Sequence, residues 1–218
     1  MEKNSRITRR VCLGEVHVRE DEPGRQSRTI VGRAIVFDTK SAPLYEDEED
    51  IVYEKVSPEA VPLELLSQSD IKMTMFHDRQ LILARSNKGK GTLKYGVDDK
   101  GVIFEFEAPK TIDGDKALEL VRRGDIAGCS FAFSTYYGDE DYVTCEISKE
   151  AGGKRETVYT VKRITGLYDF TLAADPAYPS TEVEAREFVP GREEKPRVEN
   201  REELKELRAA AQSRIIII

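Results

Sequence analysis

Along much of the chain up to Leu172, apolar and polar positions alternate in short runs, the period of two that marks half-buried strands. Val11, Leu13, Val16 and Val18 form a broken alternation, which predicts a strand with a bulge at Gly14. Thr29 to Phe37 (TIVGRAIVF) predicts a strongly apolar strand interrupted by Gly32. Ile71 to Phe76 predicts a strand that leads directly into His77-Asp78. Leu93 to Val97 and Val102 to Phe106 flank Asp98-Asp99-Lys100-Gly101, a hairpin signature. Ile126 to Tyr136, Tyr142 to Ile147, Thr157 to Ile164 and Leu167 to Leu172 follow as successive strands, with Lys149 to Lys154 (KEAGGK) as a hairpin loop. Two helical stretches break this rhythm. Ser57-Pro58 supplies an N-cap and a proline at N1 for a short helix toward Leu66, interrupted at Pro62. Asp113 to Arg123 carries the stripe Ala117, Leu118, Leu120 and Val121, with Asp113 or Asp115 to cap it and Gly124 at C′. Ser41 to Asp50 (SAPLYEDEED) reads as a solvated acidic loop. The summed pattern predicts an α+β fold that is mainly antiparallel β.

The 218 residues divide into an N-terminal strand and polar arm (1–27), a main domain (28–189) and a charged tail (190–218). In the tail, Asn200 with Glu203 makes a capping arrangement for a helix through Ala211. Acidic residues outnumber basic ones by 41 to 34, a formal net charge of −7, which argues against nucleic acid as the main partner. No apolar run is long enough to predict a membrane helix, and MEKNSRITRRVC lacks the apolar region of a secretory signal. Cys12, Cys129 and Cys145 are too few and too scattered for a disulfide framework or a zinc site, so a reducing cytoplasm fits. With His17 and His77 the only histidines, imidazole chemistry has two candidates.

Gly128-Cys129-Ser130-Phe131-Ala132-Phe133 carries the most information. Side chains on a strand alternate, so Cys129, Phe131 and Phe133 share a large apolar face that points into the core. Ser130, Ala132 and Ser134 share the other, where small residues leave room for a group to approach Ser130. Cys129 is therefore expected to be a buried structural thiol rather than the nucleophile of a cysteine hydrolase. A serine hydroxyl needs a base to take its proton, and imidazole is the usual one. His77, at a strand end, suits that role; His17, on the polar face of V-H-V-R, reads as a solvated strand residue. A third group would orient the imidazole. In Leu167-Tyr168-Asp169-Phe170-Thr171-Leu172, Asp169 lies opposite an apolar face, an unusual place for a carboxylate unless it is paired. Asp78 is the rival, ranked lower because neighbours on a strand point apart. Two distant histidines and no clustered ligands make a metal-dependent hydrolase a weak reading.

These residues bring the chain close to a known family. Over roughly residues 28–188 it resembles the tailed-bacteriophage prohead proteases, serine peptidases that mature the capsid. Three segments carry the resemblance. Thr74-Met75-Phe76-His77-Asp78 is similar to the family's apolar strand ending in His-Asp. Arg123 to Phe133 (RGDIAGCSFAF) is similar to its R-G-D-hydrophobic-x-G-x-S-F-x-F signature. Ile164 to Leu172, followed by Ala174-Asp175-Pro176-Ala177-Tyr178, resembles its late strand with an acidic residue and then a Pro-Ala turn. Cys129 stands where the family often has Met, Asp169 where Glu is common, and ADPAY departs from the commoner P-A-N-P form. The resemblance implies a herpesvirus-protease-like β-barrel, closed or nearly so, with surrounding helices. It implies acyl transfer by a serine with a histidine base, without cofactor or metal: Ser130 matches the nucleophile, His77 the base and Asp169 the acidic position. Arg85 and Arg163 are candidate helpers. The implied substrates are the phage major capsid protein, the scaffold and the protease itself, inside the assembling prohead in the host bacterial cytoplasm. Neither nucleic acid nor membrane is expected as a partner, and a homo-oligomer, as a dimer, is. From another class, the alternative is a non-enzymatic capsid-assembly or scaffold protein that retains the protease fold. The charged tail suits a docking arm for scaffold or a site of self-cleavage.

Overall fold

The computed structural model describes residues 6–12, 16–19, 27–149 and 153–174. In chain order these form β1 (Arg6–Cys12), β2 (Val16–Val18), β3 (Thr29–Val36), β4 (Tyr45–Glu46), β5 (Asp50–Val56), α1 (Leu63–Gln68), β6 (Asp70–Met75), β7 (Asp78–Asn87), β8 (Lys90–Gly91), β9 (Lys94–Asp98), β10 (Gly101–Glu107), α2 (Ile112–Arg122), β11 (Gly128–Thr135), β12 (Val143–Lys149), β13 (Arg155–Val161) and β14 (Gly166–Ala173). By its contacts the chain divides into residues 1–188 and 189–218. The expected tail helix and the Ala174–Tyr178 turn fall mostly or wholly outside the described residues.

Strands dominate, and they pair antiparallel except for β13 with β5, β14 with β6 and one isolated bridge. They make three sheets: β1-β11-β14-β6-β7-β8, β2-β3-β10-β9 and β12-β13-β5-β4. Among the described residues no sheet closes on itself, so the closed barrel implied by the resemblance is not found and the β-rich α+β class is. The core between the sheets is filled by Phe106, Phe131, Phe133 and Phe170, with Ile30, Ile35, Met73 and Leu118 around them. Each such side chain contributes about 1.5–3 kcal/mol when fully buried. Phe131 and Phe133 stack with centroids 5.2 Å apart.

Local chemistry explains several boundaries. Pro62 does interrupt the helical stretch after Ser57: a 3-10 turn covers Pro58–Ala60, and Pro62 then serves as N-cap of α1. Ser57 makes no side-chain cap bond there, against expectation. The cap of α2 is also different from the predicted Asp113 or Asp115. Thr111 takes the extended conformation, and its hydroxyl accepts from the Gly114 N–H. The two aspartates instead occupy the first turn, where they complement the helix dipole. Gly124, at φ +78°, follows the helix as expected. In the β9–β10 hairpin the Asp98 carboxylate accepts from the backbone N–H groups of Lys100 and Gly101 and pairs with Arg33 at 2.5 Å and 2.8 Å. Arg33 therefore holds that carboxyl well below the usual range. The acidic loop contains the short strand β4, and Asp47 accepts from the N–H groups of Glu49 and Asp50.

The strand pattern missed one element that matters for the site. Asp78–Asn87, to which the alternation assigned no element, forms β7, returning antiparallel to β6. Met75 pairs with Asp78, so Phe76 and His77 alone make the connection, with φ of +54° and +55°. Positive φ at both central residues suits the twist of a two-residue hairpin and is normally supplied by Asn-Gly. A Phe-His pair in that conformation is strained by about 1–3 kcal/mol per residue.

Candidate active site

Three neighbouring strands supply the site. β14 lies between β11 and β6, and the register aligns Ser130 with Thr171 and Thr171 with Thr74. Directly paired residues share a face, so these hydroxyls form a row across the sheet. All three residues are buried. Thr74 Oγ1 donates to Thr171 Oγ1 at 2.9 Å, and Thr171 Oγ1 accepts from the His77 backbone N–H at 2.9 Å. That bond fastens the strained turn to β14 and turns the imidazole back toward the row.

The imidazole bridges two further groups. His77 Nδ1 lies 2.7 Å from Asp169 Oδ1, and His77 Nε2 lies 2.8 Å from Ser130 Oγ. The Asp169 carboxylate is buried, and the imidazole partner answers the question of how a charge is tolerated there. With Nδ1–H donated to the carboxylate, Nε2 presents its lone pair to the serine hydroxyl. Of the residues singled out in the sequence, His77, Ser130 and Asp169 are thus brought together. Asp78 is not: its side chain is exposed, and it accepts from the Gln80 N–H. His17 is exposed on β2, where it lines a groove of about 880 Å³ on the β2-β3-β10-β9 sheet, away from Ser130. Cys129 is fully buried on the face with Phe131 and Phe133, as its position predicted. Arg85 forks onto Asp70 with both carboxylate oxygens, and Arg163 lies over the Tyr142 ring, so their contacts are made elsewhere.

One expectation fails. The small-residue face of β11 is not open, because every residue of that strand is buried and Ser130 is only 1% exposed. Strand β1 lies along the free edge of β11, from Arg6 opposite Thr135 to Cys12 opposite Cys129. The Arg10 carbonyl accepts from Ser130 Oγ at 2.8 Å. One hydroxyl proton cannot serve this carbonyl and His77 Nε2 together, so β1 competes with the imidazole for it. Sequence reasoning assigned the first residues to a polar arm and gave no sign of this contact. Among the described residues no group of three or more His, Cys, Asp or Glu is arranged to hold a metal, and no helix is long and apolar enough to cross a membrane.

Comparison with known proteins places the chain in a family. No curated protein matches the chain. Among solved structures, the capsid assembly protease gp21 of bacteriophage T4 is similar, with 10% identity, 78% of this chain and 98% of that chain covered, and a TM-score of 0.38. Residues 14–193 match the family described as caudovirus prohead serine protease. That match spans most of the chain, including all three residues of the hydrogen-bonded set, and the chain belongs to the caudovirus prohead serine protease family, a family of peptidases.

Proposed function

We propose that this chain is a serine endopeptidase of prohead maturation in which Ser130 is the nucleophile, His77 the general base and acid, and Asp169 the residue that orients the imidazole. The observation that carries this reading is the continuous set of bonds from Ser130 Oγ through His77 to Asp169, at 2.8 Å and 2.7 Å. His77 Nε2 takes the Ser130 proton as Oγ attacks a peptide carbonyl carbon, and the imidazolium is stabilised by the buried carboxylate. The same proton passes to the leaving amine as the C–N bond breaks. A water, deprotonated by Nε2, then hydrolyses the acyl-serine. The tetrahedral oxyanion calls for preorganised donors, for which backbone N–H groups are the usual source.

Family membership supports phage capsid proteins as substrates: the major capsid protein, the scaffold and the protease itself, cut inside the assembling prohead. The alternative, a non-enzymatic assembly protein with the same fold, has no need of an intact set of three such groups. Fluorophosphonate labelling separates the two. The wild-type protein is expected to be labelled on Ser130 and to process co-expressed capsid protein, and Ser130→Ala to do neither, with a loss of about 10⁴–10⁶-fold. Capsid processing by Ser130→Ala, or a wild-type protein that neither labels nor cleaves, refutes the assignment.

A further inference from the structure

The contact that buries Ser130 also fills a charged pocket. Arg10 lies opposite Phe131 in the β1–β11 register, so its side chain leaves β1 on the face away from Ser130 while its carbonyl meets the serine hydroxyl. All three guanidinium nitrogens donate hydrogen bonds. Nε donates to Glu54 Oε1 at 2.7 Å, Nη2 to Glu54 Oε2 at 3.2 Å and to Tyr137 Oη at 3.3 Å, and Nη1 to the Arg9 carbonyl at 2.9 Å. Tyr137 Oη donates to Glu54 Oε2 at 2.6 Å, and the Tyr137 ring sits edge-on to Tyr159. Glu54 comes from β5, in a different sheet, and is only 2% exposed. A carboxylate so deeply buried demands a cation: burial alone would pull the Arg10 pKa down, but Glu54 and Tyr137 together outweigh it and hold the guanidinium above its ordinary value. Planar, two-pronged recognition of this kind favours Arg over Lys.

We propose that Glu54 and Tyr137 form the subsite for a basic side chain on the residue that donates the acyl group, and that Arg10 occupies it as a resident substrate mimic. A substrate strand would add to the free edge of β11 in place of β1, the β-augmentation mode of peptide recognition. This inference rests on the serine-peptidase reading. Attack on the carbonyl carbon of the basic residue forms the acyl-serine and breaks the following C–N bond; His77 passes the proton to the amine, and water releases the carboxylate. In the resident arrangement the Arg10 carbonyl oxygen accepts a hydrogen bond from the serine hydroxyl, which directs the O–H away from Nε2 and leaves the nucleophile unactivated.

The test uses the full-length protein and internally quenched peptides of the sequence RITRXVS, with Arg, Lys, Leu or Glu at X. The wild type is expected to prefer Arg over Leu by at least ~10²-fold in kcat/KM, with cleavage after X, since an unpaired buried carboxylate penalises the apolar peptide. Glu54→Gln is expected to shrink that ratio to below ~10-fold. Arg10→Ala, which empties the pocket without touching its walls, is expected to raise kcat/KM for the Arg peptide by lowering KM. If the wild type is labelled by fluorophosphonate on Ser130 but shows no Arg preference, or if Arg10→Ala leaves KM unchanged, the subsite is refuted and the peptidase reading stands. If neither the wild type nor Arg10→Ala is labelled or active on any peptide, both fall.

Discussion

Replacing Thr171 with valine removes one oxygen and almost no volume, yet two hydrogen bonds end on that oxygen. The Thr171 hydroxyl accepts from the His77 N–H and from Thr74 Oγ1, each at 2.9 Å, in a position with no solvent exposure. A buried donor left without a partner costs about 1–3 kcal/mol. The Thr74 hydroxyl and the His77 N–H are the donors at stake, the second in a turn that already stores about 1–3 kcal/mol at each of Phe76 and His77. Thr171→Val is therefore expected to lose about 2 kcal/mol, a fall in Tm of about 4–8 °C for a domain of this size. The strained turn can also relax once its tether is gone, swinging the imidazole away from Ser130 Oγ. A displacement of about 1 Å at a reacting group costs on the order of 10²-fold in rate. The assay is the second-order rate of fluorophosphonate labelling together with kcat and KM on a peptide substrate. The drop should fall on kcat and on labelling, with KM nearly constant, because Thr171 acts through the histidine rather than on substrate. Thr171→Ser keeps the acceptor and should restore most of the rate. A Thr171→Val protein with wild-type labelling and wild-type Tm would refute the tether.

Three further outcomes are expected. His77→Ala should be as inactive as Ser130→Ala in peptide cleavage, His17→Ala near wild type, and Asp169→Asn impaired but above the background of either, because an orienting group is partly replaceable; an active His77→Ala enzyme would contradict the base assignment. Cys129→Ala should retain serine labelling while lowering Tm, since the thiol is buried among Phe131 and Phe133 and its loss leaves a small cavity; inactivation by thiol reagents with Ser130 unlabelled would point to the cysteine instead. Gly101→Ala should destabilise by about 3 kcal/mol or more, measured by denaturant unfolding, because at φ +151° an added Cβ would meet the Ile35 carbonyl oxygen at 1.9 Å, and a wild-type midpoint would show that the hairpin can shift to accommodate it.

What the sequence determined by itself was whatever short-range periodicity and stereochemistry encode. Alternation in Gly128–Phe133 put Cys129 with the phenylalanines and Ser130 on the other face, because side chains on a strand alternate whatever the strand pairs with. The Asp98–Gly101 turn, the break at Pro62 and the end of the helix at Gly124 follow from residues with restricted or unusual backbone freedom. The rest depended on contacts between distant segments. The Phe76-His77 turn carries no Gly or Asn to announce it, since the strain is balanced by Thr171, nearly a hundred positions further along the chain. Asp169 and Asp78 were both available as the imidazole's partner, and only the parallel pairing of β14 with β6 put Asp169 within 2.7 Å while the turn aimed Asp78 outward. Nothing local distinguishes Arg10 from other basic residues near the N-terminus, or Glu54 from the acidic residues before it. Their pairing exists because β1 docks on β11 while β5, from another sheet, brings a carboxylate behind it, and a buried charge is tolerated only where the fold delivers its counter-charge.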